Sequence, residues 1–177
     1  MRLVVPPEII EAARDAQPQA VEDLLGLVWP HAYRIARSII ADDALAQDAA
    51  QETCAIIYRD IRSLRHTAAF RTWVYRIVSR EALRIAKRHA PYVSPALDRP
   101  ATDVDARLDI LEALASLSPD LRIATVLHYY AKLNSAEIGD ALGIPSGTVR
   151  FRLALARQRL QTLLQPEHPV RITEVYS

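Results

Sequence analysis

Apolar residues recur along this chain at three- and four-residue intervals, and the strict alternation of a half-buried strand is absent. Glycine is scarce, at 4 residues. Both features predict an all-α fold. A short first helix is expected within Val4 to Gln17, with Pro6 and Pro7 near its start. A longer one runs from Pro18 to about Ile40, with Leu24, Leu25, Val28, Ala32, Ile35 and Ile39 as its buried stripe. Pro30 lies inside it, where a missing N–H and a ring clash favour a kink. Asp42 or Asp43 caps a third helix to about Ser63, with Ala50, Ile57 and Ile61 inward. Thr67 opens a fourth, to about His89. Phe70, Trp73, Val74, Ile77 and Ile85 take its core face, and Thr72, Tyr75, Arg76, Ser79, Arg80, Leu83 and Lys87 the other.

Helical periodicity then stops. The run HAPYVSPALDRPATDVDA holds three prolines and no apolar period, which reads as a linker. The expected division is a helical domain over 1–89, a flexible linker over 90–105, a second small helical domain over 106–165 and a tail over 166–177. Ser118-Pro119-Asp120 is a strong helix start in the second unit: cap, proline at the first position and an acid near the positive helix end.

The segment NSAEIGDALGIPSGTVRFRLALARQR, Asn134 to Arg159, is the most specific part of the chain. Asn134 or Ser135 can cap a helix, with Glu137 placed as a capping-box partner of Asn134. Ile138, Ala141 and Leu142 give one apolar stripe. Gly143 reads as a left-handed stop, Pro145 bars continuation, and Ser146 is expected to cap a second helix. Projected at about 100° per residue, Val149, Leu153, Ala156, Leu160 and Leu163 share its core face. Arg150 and Arg157 flank that face on one side, Arg152 and Arg159 on the other, and Phe151, Leu155 and Gln158 point away from it. Arginines so placed reach phosphates or guanine edges, and an outward apolar side chain can meet a thymine methyl. A solvated basic helix, or a sticky patch formed by Phe151 and Leu155 for a protein partner, is the competing reading.

Composition narrows the classes. Half of the 177 residues are hydrophobic and 24% charged, as in ordinary globular proteins, and the formal net charge is only +1. The charge is segregated, however. Arg71, Arg76, Arg80, Arg84, Lys87 and Arg88 are opposed by Glu81 alone, and Asp98, Asp103, Asp105, Asp109, Glu112 and Asp120 follow. Separate surfaces for separate partners are implied. The cationic face of the fourth helix, with Tyr75 on it, suits melted nucleic acid, where bases stack on rings and charge tracks the backbone. Taken alone, that helix is read more simply as a solvated face with Tyr75 half-buried. Cys54, the single cysteine, excludes an intrachain disulfide and sits in an apolar run, as core packing would place it. No signal peptide or spanning apolar stretch is visible, so a cytoplasmic protein without membrane insertion is expected. No metal cluster, nucleophile–base pair or phosphate-binding loop is apparent, so neither cofactor nor enzymatic activity is expected.

At this point the residues match a family. The chain resembles the bacterial extracytoplasmic-function (ECF, group IV) sigma factors, the smallest members of the sigma-70 superfamily, from roughly Pro18 to Leu164. Asp48 to Thr53, DAAQET, resembles the region 2 helix that docks on the clamp helices of RNA polymerase. Phe70 to Arg84, FRTWVYRIVSREALR, resembles the helix that melts and reads the −10 element. Leu117 to Leu153 resembles region 4, which reads the −35 element. The resemblance implies a dissociable subunit that binds core RNA polymerase and promoter DNA, double-stranded at −35 and melted at −10, and makes no covalent bond. Strand separation costs stacking energy, and capture of a flipped base returns part of it. An anti-sigma partner is usual for the family, and nothing in the sequence names one.

By position, the resemblance assigns Asp48, Gln51 and Glu52 to polymerase binding and Thr148, Arg150, Phe151, Arg152 and Arg157 to −35 DNA. Tyr75, Arg76, Ser79, Arg80, Arg84 and Lys87 are the −10 candidates. Three departures stand out. Leu45-Ala46-Gln47-Asp48 replaces a more acidic run, which bears on clamp affinity. Arg80 and Arg84 replace the usual asparagine and aspartate, which favours backbone contact over base selection. Phe151 and Leu155 replace small polar and arginine residues, which implies an uncommon −35 sequence. A helix-turn-helix regulator that binds duplex without polymerase, and a sigma-derived adaptor that binds polymerase or an inhibitor without initiating, are the rival functions.

Overall fold

A computed structural model describes residues 3–40, 42–88 and 113–164. The expected linker and tail, with Asp98, Asp103, Asp105, Asp109 and Glu112, lie outside these residues. Every regular element among the described residues is helical, as the periodicity requires. Helix α1 is Pro7–Arg14, shorter than the apolar pattern allows, because Pro6 and Pro7 set its first turn and Asp15 ends it. Helix α2, Pro18–Ile39, runs through Pro30 without a break. Helix α3, Asp43–Asp60, opens on Asp42, whose carboxylate accepts from Leu45 N at 2.9 Å. Single 3-10 turns at Ile61–Ser63 and Thr67–Ala69 lead into α4, Phe70–Arg88.

In this first module α2 packs against α1, α3 and α4. The expected inward residues Ala50, Ile57 and Ile61 are buried, as is the α2 stripe apart from Leu25, which is half-buried at its edge. The second module holds a helical turn at 113–116 and helices α5 (Pro119–Tyr129), α6 (Ser135–Leu142) and α7 (Ser146–Leu164). Both α5 and α6 pack on α7.

The two modules do not stand apart. Helix α5 packs on α2 and α4, and α6 packs on α4. One continuous hydrophobic cluster joins Val28, Ile35, Phe70 and Val78 of the first module to Ile123, Leu127, Ile138 and Val149 of the second. Polar links also cross the seam. Arg71 of α4 reaches Glu137 of α6 at 2.6 Å. Arg122 of α5, 6% exposed, donates from Nη1 to the carbonyl of Ile39, the last residue of α2, at 2.5 Å. Its Nη2 donates to the carbonyls of Ala115 and Leu117.

The turn between α6 and α7 depends on two glycines. Gly143 ends α6 at φ 68° and ψ 35°, the left-handed conformation in which a side chain is strained. Gly139, inside α6, lies so close to the returning chain that a Cβ would sit 2.7 Å from the carbonyl oxygen of Ile144. Backbone cannot yield there as a flexible side chain would. Replacing Gly139 with alanine should therefore destabilise the protein by about 1–3 kcal/mol despite alanine's better helix propensity. A thermal melt of Gly139→Ala at or above the parent midpoint would show that the turn has room to spare.

Candidate nucleic-acid and polymerase interfaces

Helix α6 opens with a complete capping box. Asn134 Oδ1 accepts from the backbone N–H groups of Ala136 and Glu137 at 2.9 and 3.0 Å, and Glu137 Oε2 accepts from Asn134 N at 2.9 Å. Helix α7 then starts one residue earlier than expected, at the residue read as its cap. Ser146 is its first residue, and the Pro145 carbonyl accepts from Val149 N at 3.2 Å. Val149, Leu153 and Ala156 are buried as the projection requires, and Leu160 is half-buried. Arg150, Phe151 and Arg157 are exposed, Phe151 to 68%, while Thr148 is half-buried. Arg152 lies flatter, with Nη2 3.2 Å from Asp120 Oδ2 at the start of α5. Leu155 corrects the expected outward pair: it packs with Leu117, Leu121 and Ala156, because the chain entering α5 covers that side of α7. Phe151 therefore stands without Leu155 on the outward face.

On α4, Arg76, Arg80, Arg84 and Lys87 are exposed. At ~100° per residue they fall within one arc of about 80°. Arg84 is partly neutralised by Glu81, with Nε–Oε2 at 2.8 Å. The connection into this helix adds exposed Arg62, Arg65 and His66, none of them among the expected site residues. Tyr75 and Ser79 are corrected: both are fully buried, not outward. Tyr75 Oη accepts from Leu3 N at 3.1 Å. The projection assumed that α4 is covered on one side by its own module. The second module also packs on α4, where Arg71 meets Glu137, and the segment before α1 reaches Tyr75, so more than one side of α4 turns inward. Trp73, expected in the core, is half-buried and tilted against Phe70 with ring centroids 6.1 Å apart.

On α3, Asp48, Gln51 and Glu52 are all exposed and share a face with Ala55 and Arg59. Tyr58, at 66% exposure, ends that side of the helix and escaped the sequence reading. At the other end, Asp43 accepts from Tyr33 Oη at 2.5 Å and from Gln47 Nε2 at 2.7 Å. These bonds hold the Asp43 carboxyl below the usual carboxylate range, Tyr33 first and Gln47 second. Trp29 stacks on Tyr33 at 5.3 Å, so an exposed indole borders the start of α3. The helix is anchored from behind by Ala46, Ala49, Ala50 and Thr53, whose hydroxyl donates to the Ala49 carbonyl at 2.7 Å.

Cys54 is half-buried behind this face, and burial pushes its thiol up to about 11. Among the described residues no group of three or more His, Cys, Asp or Glu side chains could hold a metal ion. No described helix is long and apolar enough to cross a membrane. The thiolate is the reactive form, so Cys54 should react with a disulfide reagent at pH 8 at least ~10-fold more slowly in the native protein than in urea. Equal rates would mean that the burial is transient.

The second module matches the family model Sigma-70, region 4, over residues 107–160, and the first matches Sigma-70 region 2 over residues 20–91. These two matches place the chain among the sigma-70-type RNA polymerase sigma factors, subunits that direct transcription initiation. Within that class, the chain belongs to the ECF sigma factors. It is 35% identical over 155 residues to ECF RNA polymerase sigma factor SigE of Mycolicibacterium smegmatis, an alignment that covers 78% of this chain and 60% of that relative's length. Identity to ECF RNA polymerase sigma factor SigM of Mycobacterium tuberculosis is 35% over 139 residues, covering 75% of this chain and 70% of the relative. RNA polymerase sigma factor CarQ of Myxococcus xanthus is 30% identical over 166 residues, covering 88% and 95%. Among solved structures, sigma factor RpoE in complex with the anti-sigma factor NepR, from Bartonella quintana, superposes with a TM-score of 0.68 at 25% identity, covering 82% of this chain and 97% of that one. CnrH, solved with the cytosolic domain of CnrY, shares the fold at a TM-score of 0.70 and 20% identity, covering 89% and 96%.

Proposed function

We propose that this chain is a group IV sigma factor that works in the cytoplasm by binding alone, making and breaking no covalent bond and using no cofactor. One observation carries the reading: an acid-bearing face on α3, a cationic arc on α4 and a capped helix-turn-helix follow one another in a single chain. Asp48, Gln51 and Glu52 dock on the clamp helices of core RNA polymerase, with Tyr58 adding apolar area at the rim. Arg76, Arg80, Arg84 and Lys87 track the backbone of the melted −10 strand, while Tyr75 and Ser79 support the helix from its buried side. Helix α7 enters the major groove at −35. Arg150 and Arg157 reach phosphate or guanine there, Phe151 meets a thymine methyl, Arg152 is steadied by Asp120, and Thr148 approaches the backbone.

The division into 1–89, 90–105, 106–165 and 166–177 follows from the same roles. An anti-sigma factor is the fitting inhibitor, and the likeness to RpoE held by NepR supports it. The α4 arc favours charge over base reading, so discrimination between promoters falls mainly to α7. Phosphate contact alone carries no sequence information, whereas each bidentate arginine–guanine pair gives ~1–3 kcal/mol.

Two substitutions separate the faces. Arg150→Ala should lower run-off transcription from a −35-dependent promoter by about tenfold and leave affinity for core polymerase unchanged. Equal loss of both would remove Arg150 from the DNA face. Glu52→Lys should weaken core binding by ~10-fold, read by pull-down or fluorescence titration, with an unchanged melting temperature. Unaltered affinity would exclude α3 as the docking helix. A duplex-binding regulator that ignores polymerase would instead keep Arg150-dependent DNA binding with no core affinity to lose.

A further inference from the structure

Residues 3–14 precede the stretch that matches Sigma-70 region 2, and none of the proposed faces uses them. They are nonetheless built into the first module. Leu3, Ile10 and Ala13 are buried in its core cluster. A segment ahead of a first helix frays unless it is tied down. Here Leu3 N donates to the buried hydroxyl of Tyr75, in the second turn of α4, at 3.1 Å. Helix α1 then packs on both 3-10 turns of the connection between α3 and α4, Ile61–Ser63 and Thr67–Ala69. Ile61 and Leu64 of that connection lie in the same cluster as Ile10 and Ala13, while Arg62, Arg65 and His66 are exposed. The connection thus has apolar anchors below and basic side chains above. It has few bonds of its own: Leu64 N donates to the Ile61 carbonyl at 3.1 Å and Ala69 N to the His66 carbonyl at 3.0 Å. Turns this short take their shape from what they pack on. Arg59, just upstream, is occupied by Asp60 at 2.8 Å, but among the described residues neither Arg62 nor Arg65 has an ion-pair partner.

Resting on the proposed function, we infer that residues 3–14 are the floor of the strand-capturing surface. They fix the connection so that Arg62, Arg65 and His66 engage the melted strand together with the α4 arc. Leu3, Ile10 and Tyr75 are positioning residues for that capture. Side chains carried on a loose connection must be ordered each time a strand binds, and a fixed floor removes that cost. The chain passes from His66 through Thr67–Ala69 directly into α4. At ~1.5 Å per residue Arg76 lies roughly 9 Å up that helix from Phe70, so a strand of a few nucleotides can span both groups. Tyr75 thereby has two structural tasks: its ring fills the core behind α4, and its hydroxyl tethers the floor.

Ile10→Ala thins the floor. Tyr75→Phe removes the acceptor of the tether and leaves the ring in place. In the free protein both should speed hydrogen exchange at the Leu64 amide by at least ~10-fold, with the amides of α7 unchanged. With core polymerase bound, both should weaken affinity for a dye-labelled non-template strand, taken from a promoter the parent initiates at, by about threefold or more, because only molecules with the connection in place capture it. Affinities for core polymerase and for −35 duplex should not change. A double-mutant cycle separates positioning from general loosening: over Arg62→Ala and Arg65→Ala, Ile10→Ala should cost little further strand affinity. If Ile10→Ala does not fold, Tyr75→Phe takes its place in the cycle. Additive losses overturn the inference, as does unchanged exchange at Leu64 in the folded variants. A parent that neither binds core polymerase nor initiates sinks the proposed function instead, and Leu64 exchange still decides whether residues 3–14 hold the turn.

Discussion

Arg122 is a buried charge neutralised by no carboxylate among the described residues. Its two terminal nitrogens donate to three carbonyl oxygens, one at the end of α2 and two in the turn that leads into α5, while its buried Nε has no partner among the described residues. Burial lowers its pKa, yet guanidinium remains protonated. The carbonyl end of α2 carries the negative pole of that helix, and a cation there is favoured. Removing a partner from a buried charge costs about 3–5 kcal/mol, far more than a surface ion pair provides. These bonds tie the start of α5 to the end of α2, alongside the apolar cluster through which α5 packs on α2 and α4.

Function in this fold is distributed rather than concentrated. Three helices, α3, α4 and α7, present the exposed faces, and small residues set how closely α3 and the turn into α7 are held. Ala46, Ala49 and Ala50 let α3 lie close to the body of the first module while its acids face outward. Gly139 and Gly143 do the same for the turn that presents α7. Such surfaces act by differential binding: each contact is weak, and selectivity comes from engaging several in the right geometry.

Glu137 joins local and long-range structure in one side chain. One oxygen completes the cap of α6, a local bond readable from the spacing of Asn134 and Glu137. The other pairs with Arg71, 66 positions away, which no local pattern announces. Arg152 is a similar case, divided between a proposed groove contact and Asp120.

The sequence alone determined what depends on neighbours within about one helical turn. Helix periodicity, the proline starts at Pro18 and Pro119, the capping box and the left-handed stop at Gly143 are short-range physics, and they located the helix-turn-helix and the exposed acids of α3. Charge segregation likewise made the α4 arc legible. Tertiary structure decided which second face of a helix is covered. A single projection assigns one buried side, but α4 is packed on two, so Tyr75 and Ser79 turn inward and Trp73 partly outward. Leu155 was covered by a chain segment far away in sequence, and the need for glycine at 139 came from a carbonyl on the other limb of a turn. Those outcomes depend on distances between elements, and residue spacing along a chain does not encode them.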